Sequence, residues 1–139
     1  MSPIEERLHD LLDQAGVELV ETGRLDVRYN ACYHHATGTI IVRSGLDPAT
    51  RICAIGHELG HAANGDDCST ARAERLADEW AARNLIDIDL VEDAAADNGG
   101  APSAIAAELG VTPRLLTIWM QLYEAGRIPT HSPYSCMIL

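Results

Sequence analysis

The chain has 139 residues, 47% of them apolar, with two Trp, four Tyr and no Phe. That is long and apolar enough for one domain with an aliphatic core, which excludes a disordered chain. Ten arginines, no lysine and 21 acids leave a net charge of −11, which argues against nucleic acid or an anionic membrane as a direct partner.

From the N-terminus, Ser2-Pro3-Ile4-Glu5 reads as a capping box with proline at the first helical position. Ile4, Leu8, Leu11, Leu12 and Ala15 then follow helical spacing, and Gly16 can end the helix. No basic segment followed by an apolar one opens the chain, so no signal peptide is expected and the protein reads as cytoplasmic. No apolar run approaches the roughly 18 residues of a membrane span. Val17 to Val20 can start a strand. Residues 31–43 predict a hairpin, "ACYHH" and "TIIVR" about a turn at Ala36-Thr37-Gly38. Asp47-Pro48 is an N-cap followed by proline, opening a helix through His61 to about Asn64. Gly56 and Gly60 each cost that helix roughly 1 kcal/mol. A helix that tolerates both is expected to pack closely, or to lie beside a metal.

Gly65-Asp66-Asp67 breaks the chain, and Ser69 or Thr70 can cap a helix through about Leu85. Asp89 can cap a short helix over 90–97, with Asp87, Asp89, Glu92, Asp93 and Asp97 as a solvated face. Asn98-Gly99-Gly100 then marks a possible boundary, because 19 of the 21 acids precede it. Ser103 can cap "AIAAELG", and Thr112-Pro113 opens a last helix to Glu124, with Gly126 behind it. The tail 129–139 has no periodicity. Its ending, Cys136-Met137-Ile138-Leu139, has the shape of a prenylation signal but lacks a polybasic run before it, and is read as coincidence. Cys32, Cys53, Cys68 and Cys136 are neither paired as CxxC nor dense, which suits free thiols.

Chemistry concentrates in "GHELGH", residues 56–61. Helical positions i and i+4 share a face, so His57 and His61 could grip one metal ion. Glu58 lies about 100° round the helix from His57, where it can reach a water on the metal without being a ligand. A catalytic zinc needs three protein ligands and one open position, so two histidines are not enough. In "AERLADEWAARNL", residues 73–85, Glu74 and Asp78 stand four apart on one face. Glu74 could complete the ligand set, while Asp78 accepts a hydrogen bond from the far ring nitrogen of a ligand histidine. Cys68, between the two motifs, is a candidate fourth ligand. An oxyanion donor could be Tyr33, His34, His35 or His131.

The HExxH and ExxxD pair looks like the thermolysin-like zinc peptidases that use glutamate as third ligand. The wider stretches "TGTIIVRSGLDPATRICAIGHELGHA" and "AERLADEWAARNL" resemble the ImmA/IrrE family of small metallopeptidases. There a hairpin strand precedes the HExxH helix, and an E-x-x-A-[ND]-x-[FW]-A helix carries the third ligand. Glu74, Ala77, Asp78, Trp80 and Ala81 match that helix in order. The Leu-Leu-x-Pro that often closes it is here Asn84-Leu85-Ile86-Asp87, and no separate N-terminal DNA-binding domain is expected. The resemblance implies a Zn2+-dependent endopeptidase, with His57, His61 and Glu74 as ligands and Glu58 as the catalytic base. It further implies a protein substrate, a cytosolic repressor of a phage, mobile element or stress regulon. Such repressors are usually basic helix-turn-helix proteins, which agrees with an acidic enzyme.

"AIAAELGVTPRLLTIW" also has the pattern of a helix-turn-helix, so a DNA-binding regulator is the competing function. Its second helix offers Arg114 and then Leu115 to Met120, which suits packing or docking better than reading bases. A metalloprotein that sequesters a partner without cutting it is a further alternative. The expected architecture is a mostly helical α+β single domain with a small antiparallel or mixed sheet beside the HExxH helix. A metallopeptidase core would fill residues 1–100, with its ligand helices at about 48–64 and 70–85. Residues 101–139 would form a helix-turn-helix-like segment and tail packed on that core.

Overall fold

A computed structural model describes residues 1–128, so Cys136 and its neighbours, and His131, lie outside the described residues. The architecture is α+β, with six helices and one three-stranded mixed sheet. Helix α1 (Pro3–Ala15) begins where Ser2 Oγ accepts the Glu5 N–H, and ends at Gly16 in the left-handed conformation. Strand β1 (Glu18–Thr22) follows, then the hairpin strands β2 (Ala31–His34) and β3 (Thr39–Arg43). The sheet order is β1-β3-β2. β2 pairs antiparallel with β3 as expected of the hairpin, whereas β1 runs parallel to β3. Among the described residues both outer strands therefore pair on one side only.

Arg43 at the end of β3 fixes the β1–β2 loop. Its guanidinium donates to the carbonyls of Asp26 and Tyr29, and its backbone N–H to Asn30 O at 2.7 Å. This holds residues 26–30 in one conformation beside the β2 edge.

Helix α2 (Pro48–Asn64) is the central element, capped by Asp47 and packed against α1, α3, β2 and β3. Helix α3 (Ala71–Leu85) is capped by Thr70 Oγ1. The two cross closely because α2 carries glycines where α3 carries alanines. A Cβ on Gly60 would stand 2.7 Å from Ala77 O and 2.8 Å from Ala77 Cα, both backbone atoms of the neighbouring helix. A Cβ on Gly56 would meet Leu85 Cδ1 at 2.7 Å and the Ala81 methyl at 3.5 Å. The glycines expected to mark close packing do so. Ile55, Leu59, Ala77, Ala81 and Ala82 are wholly buried along this seam.

Helix α4 (Ile88–Asn98) is capped by Asp87, not Asp89 as expected. The Asp87 carboxylate accepts the Asp89 N–H, and burial of Ile88 draws the helix start two residues earlier. The five acids of this region are all exposed, as a solvated face requires. Helix α5 (Pro102–Leu109) is likewise not capped by Ser103. Pro102, with φ preset for a first helical turn, starts it after Ala101, and no side chain caps it. Gly110 (φ 77°) turns the chain into α6 (Pro113–Glu124), capped by Thr112. Leu115, Leu116, Trp119 and Leu122 are buried, so most of the apolar run on α6 is absorbed by packing on α3 and α5. One continuous core runs from Ile4 on α1 to Ile128.

The two glycines make a graded prediction. Gly60→Ala must push backbone from backbone and is expected to destabilise the protein by about 1–3 kcal/mol, although alanine favours the helix by about 1 kcal/mol. Gly56→Ala meets the movable end of Leu85 and is expected to cost less. Denaturant unfolding of both variants checks the order, and equal stabilities would mean that Gly60 does not set the helix separation.

Candidate metal centre

The α2–α3 seam brings three donors to one point. His57 Nε2 and His61 Nε2 lie 3.2 Å apart, their rings edge-to-face with centroids at 4.8 Å. Glu74 reaches both from α3, with Oε2 2.6 Å from His57 Nε2 and Oε1 3.2 Å from His61 Nε2. In a tetrahedral site with metal–ligand bonds of about 2.0–2.1 Å, neighbouring donors stand roughly 3.3 Å apart. The separation of the two imidazole nitrogens fits that edge. Glu74 meets the two rings with different oxygens, so one of them would have to move to serve as a single donor.

His57, Glu58 and His61 also form a group whose ligand atoms lie within 4.8 Å of one another, and this group could hold a metal ion. Glu74 stands in hydrogen-bond contact with both rings, closer than that limit requires of Glu58. Both glutamates therefore stand near the two imidazoles, Glu58 from the same helix and Glu74 across the seam.

Each imidazole is also held from behind. His57 Nδ1 donates to Asp78 Oδ1 at 2.6 Å, the bond anticipated from the four-residue spacing of Glu74 and Asp78. His61 Nδ1 lies 3.0 Å from Asp66 Oδ2, a contact that sequence reasoning missed. Gly65 (φ 70°) turns the chain back so that the Asp66 N–H caps His61 O at 3.0 Å, which brings the Asp66 carboxylate beside the ring. An acid directly after a helix-ending glycine was the available signal. With Nδ1 of both rings facing carboxylates, the two Nε2 atoms face inward, where they could coordinate a metal in place of a proton.

The electrostatics follow from this packing. Burial opposes charge on His57, but the Asp78 hydrogen bond and the charges of Asp78 and Glu58 outweigh it and raise its pKa. Burial pushes Asp78 upward, yet its bonds to His57 and Arg114 bring its pKa down to about 2. For Glu74 burial is likewise outweighed, by Ser69 and His57, and its pKa is lowered. Glu58 behaves differently: burial raises its pKa, and the attraction of the histidines only partly offsets this. Of the two glutamates, Glu58 is the better proton acceptor.

These groups line an open cleft of about 860 Å3, bounded on one side by Ala31, Cys32 and Tyr33 of the β2 edge. Among the candidate oxyanion donors, Tyr33 and His35 line the cleft and His34 does not. Cys68 stands on its rim as an exposed free thiol and is not part of the convergent group.

A family profile described as an IrrE N-terminal-like domain, Peptidase_M78, matches residues 13–117. The chain belongs to this peptidase family. The match spans both motif helices and reaches into α6, so it covers all of the residues just described. Among curated proteins none matches the chain significantly. Membership makes the protein a peptidase-type hydrolase, as the resemblance implied. Among the described residues no helix is long and apolar enough to cross a membrane.

The raised pKa of His57 has a consequence for the metal-free protein. A group whose pKa is higher in the folded state adds stability below its unfolded value, here 6.5. That stability is lost as pH rises through the folded value. In the presence of a chelator, the advantage of the native protein over His57→Ala in thermal unfolding is therefore expected to shrink from pH 6 to pH 8.5. A pH-independent difference would mean that the proton on His57 contributes nothing.

Proposed function

We propose that the protein is a zinc-dependent endopeptidase, in which His57, His61 and Glu74 hold the ion and Glu58 is the catalytic base. The observation that carries this reading is the convergence of two inward-facing Nε2 atoms on Glu74, with a more basic, half-buried Glu58 adjacent. When bound, zinc polarises a carbonyl and makes water nucleophilic near neutral pH.

The chain's own residues supply the rest. Glu58 accepts the proton as water attacks the scissile carbonyl, and delivers it to the leaving amine. Burial favours this by keeping its affinity for a proton high. Asp78 and Asp66 hold the two imidazoles in the tautomer that leaves Nε2 free to coordinate. The substrate backbone adds to the outer edge of β2, which borders the same cleft. Strand addition presents one peptide bond to the site whatever the side chains, which suits an endopeptidase.

The substrate we infer is a basic, cytosolic, helix-turn-helix repressor of a phage, mobile element or stress regulon. Two features support a cationic partner: the net charge of −11, and the carboxylate of Asp67 on the cleft. Direct binding of nucleic acid is not part of this reading. The one cation at the start of α6, Arg114, is paired with Asp78 at 2.6 Å, and most apolar side chains of that helix face inward. Residues 101–126 then pack on the core and dock protein. Titration of duplex DNA at low salt is expected to show no salt-sensitive submicromolar binding; such binding, lost in Arg114→Ala, would reinstate the DNA-binding function.

Glu58→Gln tests the chemistry. The amide keeps size and shape but takes no proton, so zinc content and fold are expected to persist while cleavage falls by at least about 100-fold. Metal analysis and a cleavage assay on a candidate repressor measure both quantities. A variant that still relieves repression in cells as well as the native protein would favour sequestration without proteolysis.

A further inference from the structure

Asp78 has two carboxylate oxygens and two different partners. Oδ1 accepts the proton of His57 Nδ1, and Oδ2 accepts from Arg114 Nη2, each at 2.6 Å. Arg114 comes from the first turn of α6, 36 residues away in sequence. Two residues earlier, Thr112 attaches the same turn to the other donor helix. Its backbone N–H and Oγ1 lie 3.5 and 3.4 Å from Cys53 Sγ. Cys53 is four residues before His57, one turn away on the same face of α2. The start of α6 is thus fastened to both helices that carry the donors.

The chemistry of the carboxylate says what this fastening does. The terminal torsion of an aspartate is broad, so a single hydrogen bond leaves the carboxylate plane free to swing. A charge-assisted bond from a planar guanidinium to the second oxygen fixes that plane. The ring it holds then points its other nitrogen in one direction. We propose that Arg114 is a positioning residue for the metal ligand His57, acting through Asp78, so that the C-terminal helix pair is a working part of the metal centre. This rests on the assignment of His57 as a ligand.

Charge gives the test a sign. A guanidinium near a cation site repels the cation, so its removal by Coulomb's law alone would tighten metal binding. Loss of positioning weakens it. Zinc affinity of the full chain is measured by competition with a chromophoric chelator. Arg114→Ala is expected to bind zinc about 5–10-fold more weakly, a smaller loss than the roughly 10–100-fold expected of Asp78→Ala. Arg114→Lys, which keeps a cationic donor in reach, recovers most of the loss. Adding Arg114→Ala to Asp78→Ala changes the affinity by less than about two-fold, because the relay is already cut.

Arg127→Ala is the control for general loosening of α6. It removes the pair between Arg127 Nη2 and Glu79 Oε1 (2.9 Å), which ties the segment just after α6 to α3, and should leave zinc affinity unchanged. Unchanged or tighter binding by Arg114→Ala overturns the proposal, as does an additive loss in the double variant or an equal loss in Arg127→Ala. Should Arg114→Ala fail to fold, Arg114→Gln carries the same expectations. His57→Ala is measured alongside. If it loses zinc while Arg114→Ala does not, the relay alone is refuted; if it retains zinc, the ligand assignment and the relay fall together.

Discussion

The contact on which everything else depends is the crossing of α2 over α3 at Gly60. A hydrogen atom faces the backbone of Ala77 there, and a methyl group in its place would stand only 2.7 Å from Ala77 O. His61 follows Gly60 in sequence, and Asp78 follows Ala77. The point of closest approach is therefore also the point where donors from the two helices must meet. Side chains as short as aspartate span the gap only because the helix axes are brought together by missing methyl groups. The local loss of helix propensity at two glycines is offset by the packing it permits, in a seam where Ala77, Ala81 and Ala82 are wholly buried.

Around this seam the chain places a surplus of negative charge. Asp66, Glu74 and Asp78 all contact the imidazoles, and Glu58 stands beside them. Four carboxylates near two neutral rings repel one another unless something positive lies among them. In the metal-free protein the raised pKa of His57 and the guanidinium of Arg114 supply part of that charge. A divalent ion would supply more of it, at the place where the two Nε2 atoms converge.

Much of this was legible in the residues because helical periodicity converts spacing into geometry without further information. The pairs His57/His61 and Glu74/Asp78 are each four apart, and each proved to share a face of its helix. The hairpin over 31–43 and the helix starts at Pro3, Pro48 and Pro113 were equally local matters of turn and cap chemistry. What escaped depends on longer-range packing. That β1 runs parallel to β3 is a fact about crossover, invisible in five residues of strand. Asp66 reaches His61 through the turn at Gly65, and Arg114 reaches Asp78 only after α6 has docked. The start of α4 was misread because Asp87 and Asp89 are equally good caps, and burial of Ile88 chose between them.

The donors are also close in sequence, which bears on how the centre forms. His57 and His61 are one turn apart, Asp66 follows five residues later, and Glu74 and Asp78 come 17 and 21 residues after His57. All five belong to a single helical hairpin joined by a short connection. Closing so small a loop costs little chain entropy, and contacts of low sequence separation form early during folding. The sheet, with its parallel β1–β3 pairing, needs longer-range closure. The two imidazoles and the carboxylates around them can thus come together before the sheet does.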